Sequence, residues 1–328
     1  MAALRAEVSE YKRVTQTEKK QKADGVWAGN MLGVAASKAQ GIRGVGTVAQ
    51  YRHLLELGVS PNRRALRLAD RVFYRTLSRD DDPALAFEFR KPAKTNPHLA
   101  EWGRQLIRQG ITAALARAGW IEDPRVRGAA HRTATDVSHF LRSESAQKPI
   151  VRKGSRNMLH PDANPPTLFL VATVAHMPNL QRERAGFVDR LTAYITQPAP
   201  RRTFSIMVGR KVVKPTVHLL GEPLAADSAG HPKDLPFALH WIELLVRLKM
   251  LERSTVAMRI LSRLLKDCDE RGVWAPKNLR TIPKSPSRLA DFAFPLELDG
   301  KTLEQRQADV TFRLSLIARL AEWDLSYT

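Results

Sequence analysis

Cysteine occurs once in these 328 residues, at Cys268. A lone thiol cannot close an intramolecular disulfide or build a multi-cysteine metal site. Long apolar runs are missing as well. The most apolar stretch, "PPTLFLVATVAHM" from Pro165, is shorter than the roughly 20 residues a bilayer span needs. The opening "MAALRAEVSEYKRVTQTEKKQK" has no apolar core of the kind a secretory signal requires. None of the nine histidines falls in an H-E-x-x-H string or an i, i+4 pair, so no helical metal site is expected. "GIRGVGT" at Gly41 to Thr47 follows no expected strand and lacks a phosphate-loop lysine, so it reads as a flexible loop and no cofactor is expected. Together these absences predict a soluble, reduced, cytoplasmic protein with no membrane span.

Acidic residues are also scarce relative to basic ones. Fifty-three Lys and Arg face 33 Asp and Glu, a net charge of +20. Such a field attracts polyanions: nucleic acid, anionic lipid headgroups or acidic proteins. The attraction is independent of base sequence, and a basic but inert surface accounts for the number equally well.

What is present is helix, in pairs. An apolar fraction of 43% is ample for a core. "TVAQYRHLLELG" puts Val48, Tyr51, Leu54 and Leu55 on one face and stops at Gly58. Ser60 and Pro61 then offer an N-cap and a first helical position for "SPNRRALRLADRVFYRTL". A second pair opens at Asn96-Pro97, closes near Gly119 and restarts at Asp123-Pro124. A third is "PPTLFLVATVAHM" followed by "NLQRERAGFVDRLTAYI", with Asn179 at the break. A fourth is "LPFALHWIELLVRLKML" followed by a helix capped by Ser254, and a last helix runs from Leu303 to Trp323 behind Thr302. Each hairpin buries one face only, so neighbours must stack. The expected fold class is all-α, built of helix-hairpin repeats.

Two segments interrupt this pattern. "TFSIMVGRKVVKPTV" carries β-branched runs either side of Gly209-Arg210, which predicts a small β-hairpin insertion near 203–214. Prolines from Pro198 to Pro236 mark a long irregular connection around it. Residues 148–164 read as a basic linker loop. The expected organisation is therefore a polar N-terminal extension (1–22), partly disordered or a peripheral helix, an N-terminal helical half (23–147), the linker (148–164) and a C-terminal half (165–328).

One short phrase occurs twice. "QKADGVWAGN" begins at Gln21, and "CDERGVWAPKN" begins at Cys268. Gln21, Gly25 and Trp27 have the Q-x3-G-x-W spacing, and Gly272 and Trp274 repeat its G-x-W. The phrase resembles the repeat of squalene and other terpenoid cyclases and of protein prenyltransferases. The resemblance covers roughly residues 20–80 and 235–325, and Cys268 stands where the family has glutamine. It implies an α/α toroid whose glycine turns the chain and whose indole packs at the helix ends. A HEAT-like α-solenoid is the competing fold, because "EDPRVRGAAHRTATDVSHFL" from Glu122 resembles one HEAT repeat.

The chemistry of the cyclase family does not come with the phrase. There is no D-x-D-D acid and no D-D-x-x-D metal motif, and Asp267, Cys268 and Asp269 are adjacent rather than spaced as zinc ligands. At 7%, aromatic residues are few for a carbocation cavity. Asp80, Asp81 and Asp82 in "SRDDDPA" could raise one another's pKa for acid chemistry, or simply form a solvated cap before Pro83. His160 and Asp162 in "LHPDANPP" could share acid–base work, or belong to a rigid proline turn.

The cationic residues concentrate between Lys148 and Lys214, where twelve Lys and Arg face three acids. Lys148, Arg152, Lys153 and Arg156 lie in one loop; Arg201, Arg202, Arg210, Lys211 and Lys214 lie in the other. Loop cations with little acid nearby suit phosphate contacts, and Phe204 is the only aromatic interleaved, so backbone contact rather than base stacking is expected. The leading expectation is a non-catalytic scaffold binding nucleic acid or a nucleoprotein. The alternatives are a cyclase- or transferase-like enzyme acting on an apolar isoprenoid-type substrate in a central cavity, and a protein-interaction module without an anion partner.

Overall fold

A computed structural model of the chain describes residues 7–33, 45–79, 81–284, 296 and 300–322. Helix dominates, accompanied by two small two-stranded antiparallel sheets. The chain forms two compact units. The first comprises Met1–Leu191 and Ala199–Leu220, the second Thr192–Pro198 and Gly221–Thr328. Residues 148–164 therefore lie inside the first unit. Helical periodicity stops there because the chain enters a β-hairpin, not because it leaves a folded body.

In the first unit, α1 (Lys12–Lys19) buries Val14 and Thr17, so part of the polar N-terminal segment is packed structure. Helix α2 (Thr47–Glu56) buries Val48, Tyr51 and Leu54, as its periodicity predicts, and ends before Gly58. Helix α3 (Arg64–Ser78) starts one turn later than Ser60-Pro61 suggests. Ser60 instead accepts from the Arg63 N–H, closing a turn, and the Arg63 guanidinium makes a two-pronged bond to Glu18 at 3.0 and 3.2 Å. A 3-10 segment, Pro83–Phe89, follows. Helix α4 (Pro97–Arg117) has Asn96 as cap, accepting from the Leu99 N–H, and stops at Gly119. Helix α5 (Pro124–Leu141) is capped by Asp123.

Strands β1 (Ile150–Lys153) and β2 (Arg156–Leu159) form the unexpected hairpin. Helix α6 (Leu168–Ala175), capped by Thr167, is almost wholly buried. The break after it falls at Met177-Pro178 rather than Asn179, because Pro178 takes the first position of α7 (Pro178–Glu183). Helix α8 (Ala185–Thr196) follows, and β3 (Ile206–Val208) and β4 (Lys211–Val213) complete the strands. Helix α4 is the hub of this unit: α2, α3, α5, α6 and β3 all pack on it. Trp102 of α4 stacks on His218 and meets Phe89 edge-on, and desolvation holds the His218 pKa down to about 4. That imidazole is neutral at pH 7.

The second unit contains α9 (Leu235–Arg247), α10 (Thr255–Lys266) and α11 (Leu303–Leu320). Ser254 caps α10 as expected, and Thr302 with Gln305 forms a capping box at α11. Trp241, Ile242, Ile260 and Ile317 are buried. Buried Glu243 is compensated by Arg247 at 2.9 Å and Arg313 at 3.3 Å, which is what a desolvated carboxylate requires.

The repeated phrase builds the same clasp in both units. Lys22 N–H donates to Val26 and Gly25 N–H to Lys22; in the second copy Asp269 N–H donates to Val273 and Gly272 N–H to Asp269. Trp27 N–H donates to Thr47 Oγ1 at 3.0 Å, and Trp274 N–H to Thr311 Oγ1 at 3.1 Å. Gly25 and Gly272 have φ of 89° and 75°, the left-handed region that favours glycine. The copies differ at the glutamine position. Gln21 Nε2 bridges the carbonyls of Gly25 and Ala65, whereas the Cys268 thiol, just past the end of α10, reaches back to Leu264 O in the last turn of that helix.

Candidate polyanion-binding face

The candidate face grows out of two hairpins with the same construction. Each joins its strands through two residues, with a glycine of positive φ first: Gly154-Ser155 between β1 and β2, Gly209-Arg210 between β3 and β4. Such turns match the twist of the flanking strands. The second hairpin is the one expected from the sequence. A two-stranded hairpin is marginal alone, and these two support each other. Leu159 N–H donates to Ser205 O at 2.8 Å and Ser205 N–H to Asn157 O at 3.0 Å, so β2 runs parallel beside the approach to β3. Asn96 at the start of α4 anchors the assembly by donating from Nδ2 to Val208 O at 3.2 Å.

This pairing brings together two cationic segments some 50 residues apart in sequence. Lys148, Arg152, Lys153 and Arg156 ride on the first hairpin, while Arg201, Arg202, Arg210, Lys211 and Lys214 ride on or flank the second; all nine are exposed. Among the described residues none of the nine pairs with a carboxylate; the bond from Arg152 Nε to Gly154 O at 3.2 Å is internal to the turn. Other surface arginines are paired: Arg125 with Asp123, Arg127 with Glu183, Arg263 with Asp267. Lys153 and Arg156 stand directly opposite across the ladder, an arrangement that costs stability in isolation. Met207 and Val212, also cross-strand partners, are 39% and 40% exposed within the same face.

Several of the other residues singled out in the sequence make local contacts. Asp80 lies outside the described residues. Asp82 accepts from the Ala84 N–H at 2.9 Å and caps the 3-10 segment, and Asp81 is exposed. His160 Nδ1 accepts from the Asp162 backbone N–H at 3.2 Å, and the Asp162 carboxylate, 3.9 Å from that nitrogen, is 87% exposed. That pair closes the turn after β2, and the nitrogen facing the carboxylate is already occupied as an acceptor. Gln21, Gly25, Trp27, Gly272 and Trp274 belong to the clasps. A further cluster, Arg104, Arg108 and Arg132 between α4 and α5, escaped the sequence reading. Its only sequence signal is the i, i+4 spacing of Arg104 and Arg108.

Among the described residues no group of three or more His, Cys, Asp or Glu is arranged to hold a metal ion, and no helix is long and apolar enough to cross a membrane. No protein-family model matches the chain, and neither a curated protein nor a solved structure proves similar to it.

Proposed function

We propose that the chain is a non-catalytic helical scaffold that binds a polyanion, nucleic acid or a nucleoprotein, through its paired hairpins. The observation that carries this reading is the set of nine exposed cations on one joined pair of hairpins, none with a carboxylate partner among the described residues. Guanidinium and ammonium groups left in water keep their hydration until an anion replaces it, and closely spaced phosphates do so while releasing counterions. Contact is to the backbone, because the face offers cations and two apolar side chains rather than a row of stacking rings. The two clasps, with matching hydrogen bonds, support reading the helices as a squalene-cyclase-like repeat, with an α/α toroid as the arrangement.

Fluorescence anisotropy with duplex DNA and single-stranded RNA, repeated between about 50 and 200 mM salt, tests the function. Affinity should fall steeply with salt, and replacing Arg152, Lys153, Arg210 and Lys211 together by Gln should flatten the dependence. Affinity indifferent to salt, or unchanged in the four-site variant, would overturn the reading.

A further inference from the structure

The two clasps differ in one more hydrogen bond. In the first, the buried indole of Trp27 donates from Nε1 to Thr17 O at 2.8 Å, in the helix that precedes Gln21. The corresponding carbonyl of the second clasp is Leu264 O, which accepts from the Cys268 thiol at 3.5 Å instead. Trp274 is 4% exposed, and its Nε1 has no hydrogen-bond partner among the described residues. Buried donors are almost always paired, so an unpaired one marks the place of a missing acceptor.

Trp274 lines a cleft of about 750 Å³ within the second unit. That volume lies in the range of small-molecule sites. The last turn of α10 contributes Leu264, and Cys268 follows it. The clasp contributes Trp274 and Pro276, held there because Ala275 N–H donates to Asp267 O at 2.8 Å and Trp274 pairs with Cys268 as an isolated antiparallel bridge. The loop before α9 adds His231 and Pro232, and Leu235 opens that helix. Gly230, with φ of 91°, lets the loop lie against α10: a Cβ there would be 3.0 Å from Arg259 O.

Most charges in the lining are already matched. Arg263 bonds to Asp267, Arg271 reaches Asp269 at 3.3 Å, and His231 Nδ1 lies 3.0 Å from Asp227 Oδ2. Lys266 and Lys277 are exposed and have no ion pair among the described residues. Burial, and then the charges of Asp269 and Asp267, raise the Cys268 pKa, so the thiol stays protonated and serves as wall.

We infer that this cleft binds a small carboxylic acid with an apolar body. The carboxylate accepts from Trp274 Nε1 and is balanced by Lys266 and Lys277, while the body lies against Leu235, Leu264 and Pro276. A phosphate dianion fits less well. The two carboxylates in the lining repel it more than a monoanion, and the one guanidinium that could chelate it is held by Asp267. The cleft contains none of the nine hairpin cations, so it stands or falls independently of the proposed polyanion face.

Titration calorimetry of the full chain with octanoate, octanol and octyl phosphate, at matched ionic strength, tests the inference. Octanoate should bind with a Kd below about 1 mM, and octanol about tenfold more weakly. Lys266→Gln with Lys277→Gln, both at exposed positions, should weaken octanoate about tenfold and leave octanol unchanged. Trp274→Phe keeps a ring but removes the donor, and should weaken octanoate by about tenfold. Indole N–H resonances of isotope-labelled tryptophan give a readout independent of that variant's stability. Of the six tryptophans, octanoate should shift the signal that Trp274→Phe removes. The inference is overturned if octanol binds as well as octanoate, or if octyl phosphate binds more tightly. It is equally overturned if the double lysine variant binds octanoate like the wild type, or if the Trp274 signal does not respond.

Discussion

Tyr51 donates its phenolic hydrogen to Asp70 Oδ1 at 2.8 Å inside the first unit, and Arg67 reaches the other carboxylate oxygen only at 3.7 Å. Asp70 is 2% exposed, and burial raises its pKa from 3.8 to about 6, the hydrogen bond and Arg67 offsetting only part of that. The folded protein therefore binds a proton at Asp70 more tightly than the unfolded chain does. Stability from this residue is greatest below about pH 4 and is lost as pH rises to about 6, by at most ~3 kcal/mol. Urea denaturation of wild type and Asp70→Asn between pH 4 and 7 should show the difference between them changing across that window. A difference that is constant with pH would contradict the assignment. Glu88 and Glu222 are raised by burial in the same sense, so the comparison with the variant, and not the wild-type curve alone, isolates Asp70. Glu88 accepts from the N–H groups of Met31 at 2.8 Å and Leu32 at 2.7 Å, which ties the 3-10 segment to the end of the first clasp.

At the scale of elements, the two clasps make a controlled comparison. A Cβ at Gly25 would lie 2.5 Å from the Leu68 carbonyl oxygen, whereas one at Gly272 would meet nothing within 4 Å. Both positions have positive φ, which costs an alanine about 1–2 kcal/mol. Gly272→Ala should lose about that much in thermal or urea unfolding, and Gly25→Ala should lose more, because rigid backbone has to move. Thr47 gives a second test. It is fully buried and accepts from Trp27 N–H while donating to Asn30 O at 2.7 Å. Thr47→Val strands the buried Trp27 N–H, while Asn30 O keeps its bond from the Thr47 backbone N–H, and the change should cost about 1–3 kcal/mol. Thr311, half-buried where Thr47 is fully buried, should tolerate Val better.

Elements were legible in the sequence wherever their signals were local. Asn96-Pro97, Asp123-Pro124, Ser254 and Thr302 cap the helices they precede, and Gly209-Arg210 turns its hairpin. Ser60-Pro61 misled because serine followed by proline opens a turn as readily as a helix, and the bond from Arg63 to Glu18, 45 residues away, decides where α3 begins. The strands at 150–159 read as a loop because four residues a side carry little pattern. Their pairing with Ser205 is what makes them a sheet.

At the scale of the molecule, the field of a +20 chain sets a quantitative expectation for the proposed polyanion face. If all nine hairpin cations contact phosphates of duplex DNA, the logarithm of affinity should fall against the logarithm of salt with a slope of about −8. Removing four of them should reduce that slope by about 4. Binding assays in a salt series read both numbers. A slope that is unmoved by the variant would place the contacts on other cations.

Composition and periodicity alone determined that this chain is helical, basic, unable to close an intramolecular disulfide, and written with one phrase twice. Those properties depend on residues within a turn or two of each other, where hydrogen-bond geometry and side-chain spacing act directly. Only the tertiary structure decided that β2 meets the approach to β3 and that Arg132 comes to face Arg104 and Arg108. Charges at separate places in a sequence carry no information about their distance in space. Strand pairing and the packing of α5 on α4 supply that distance.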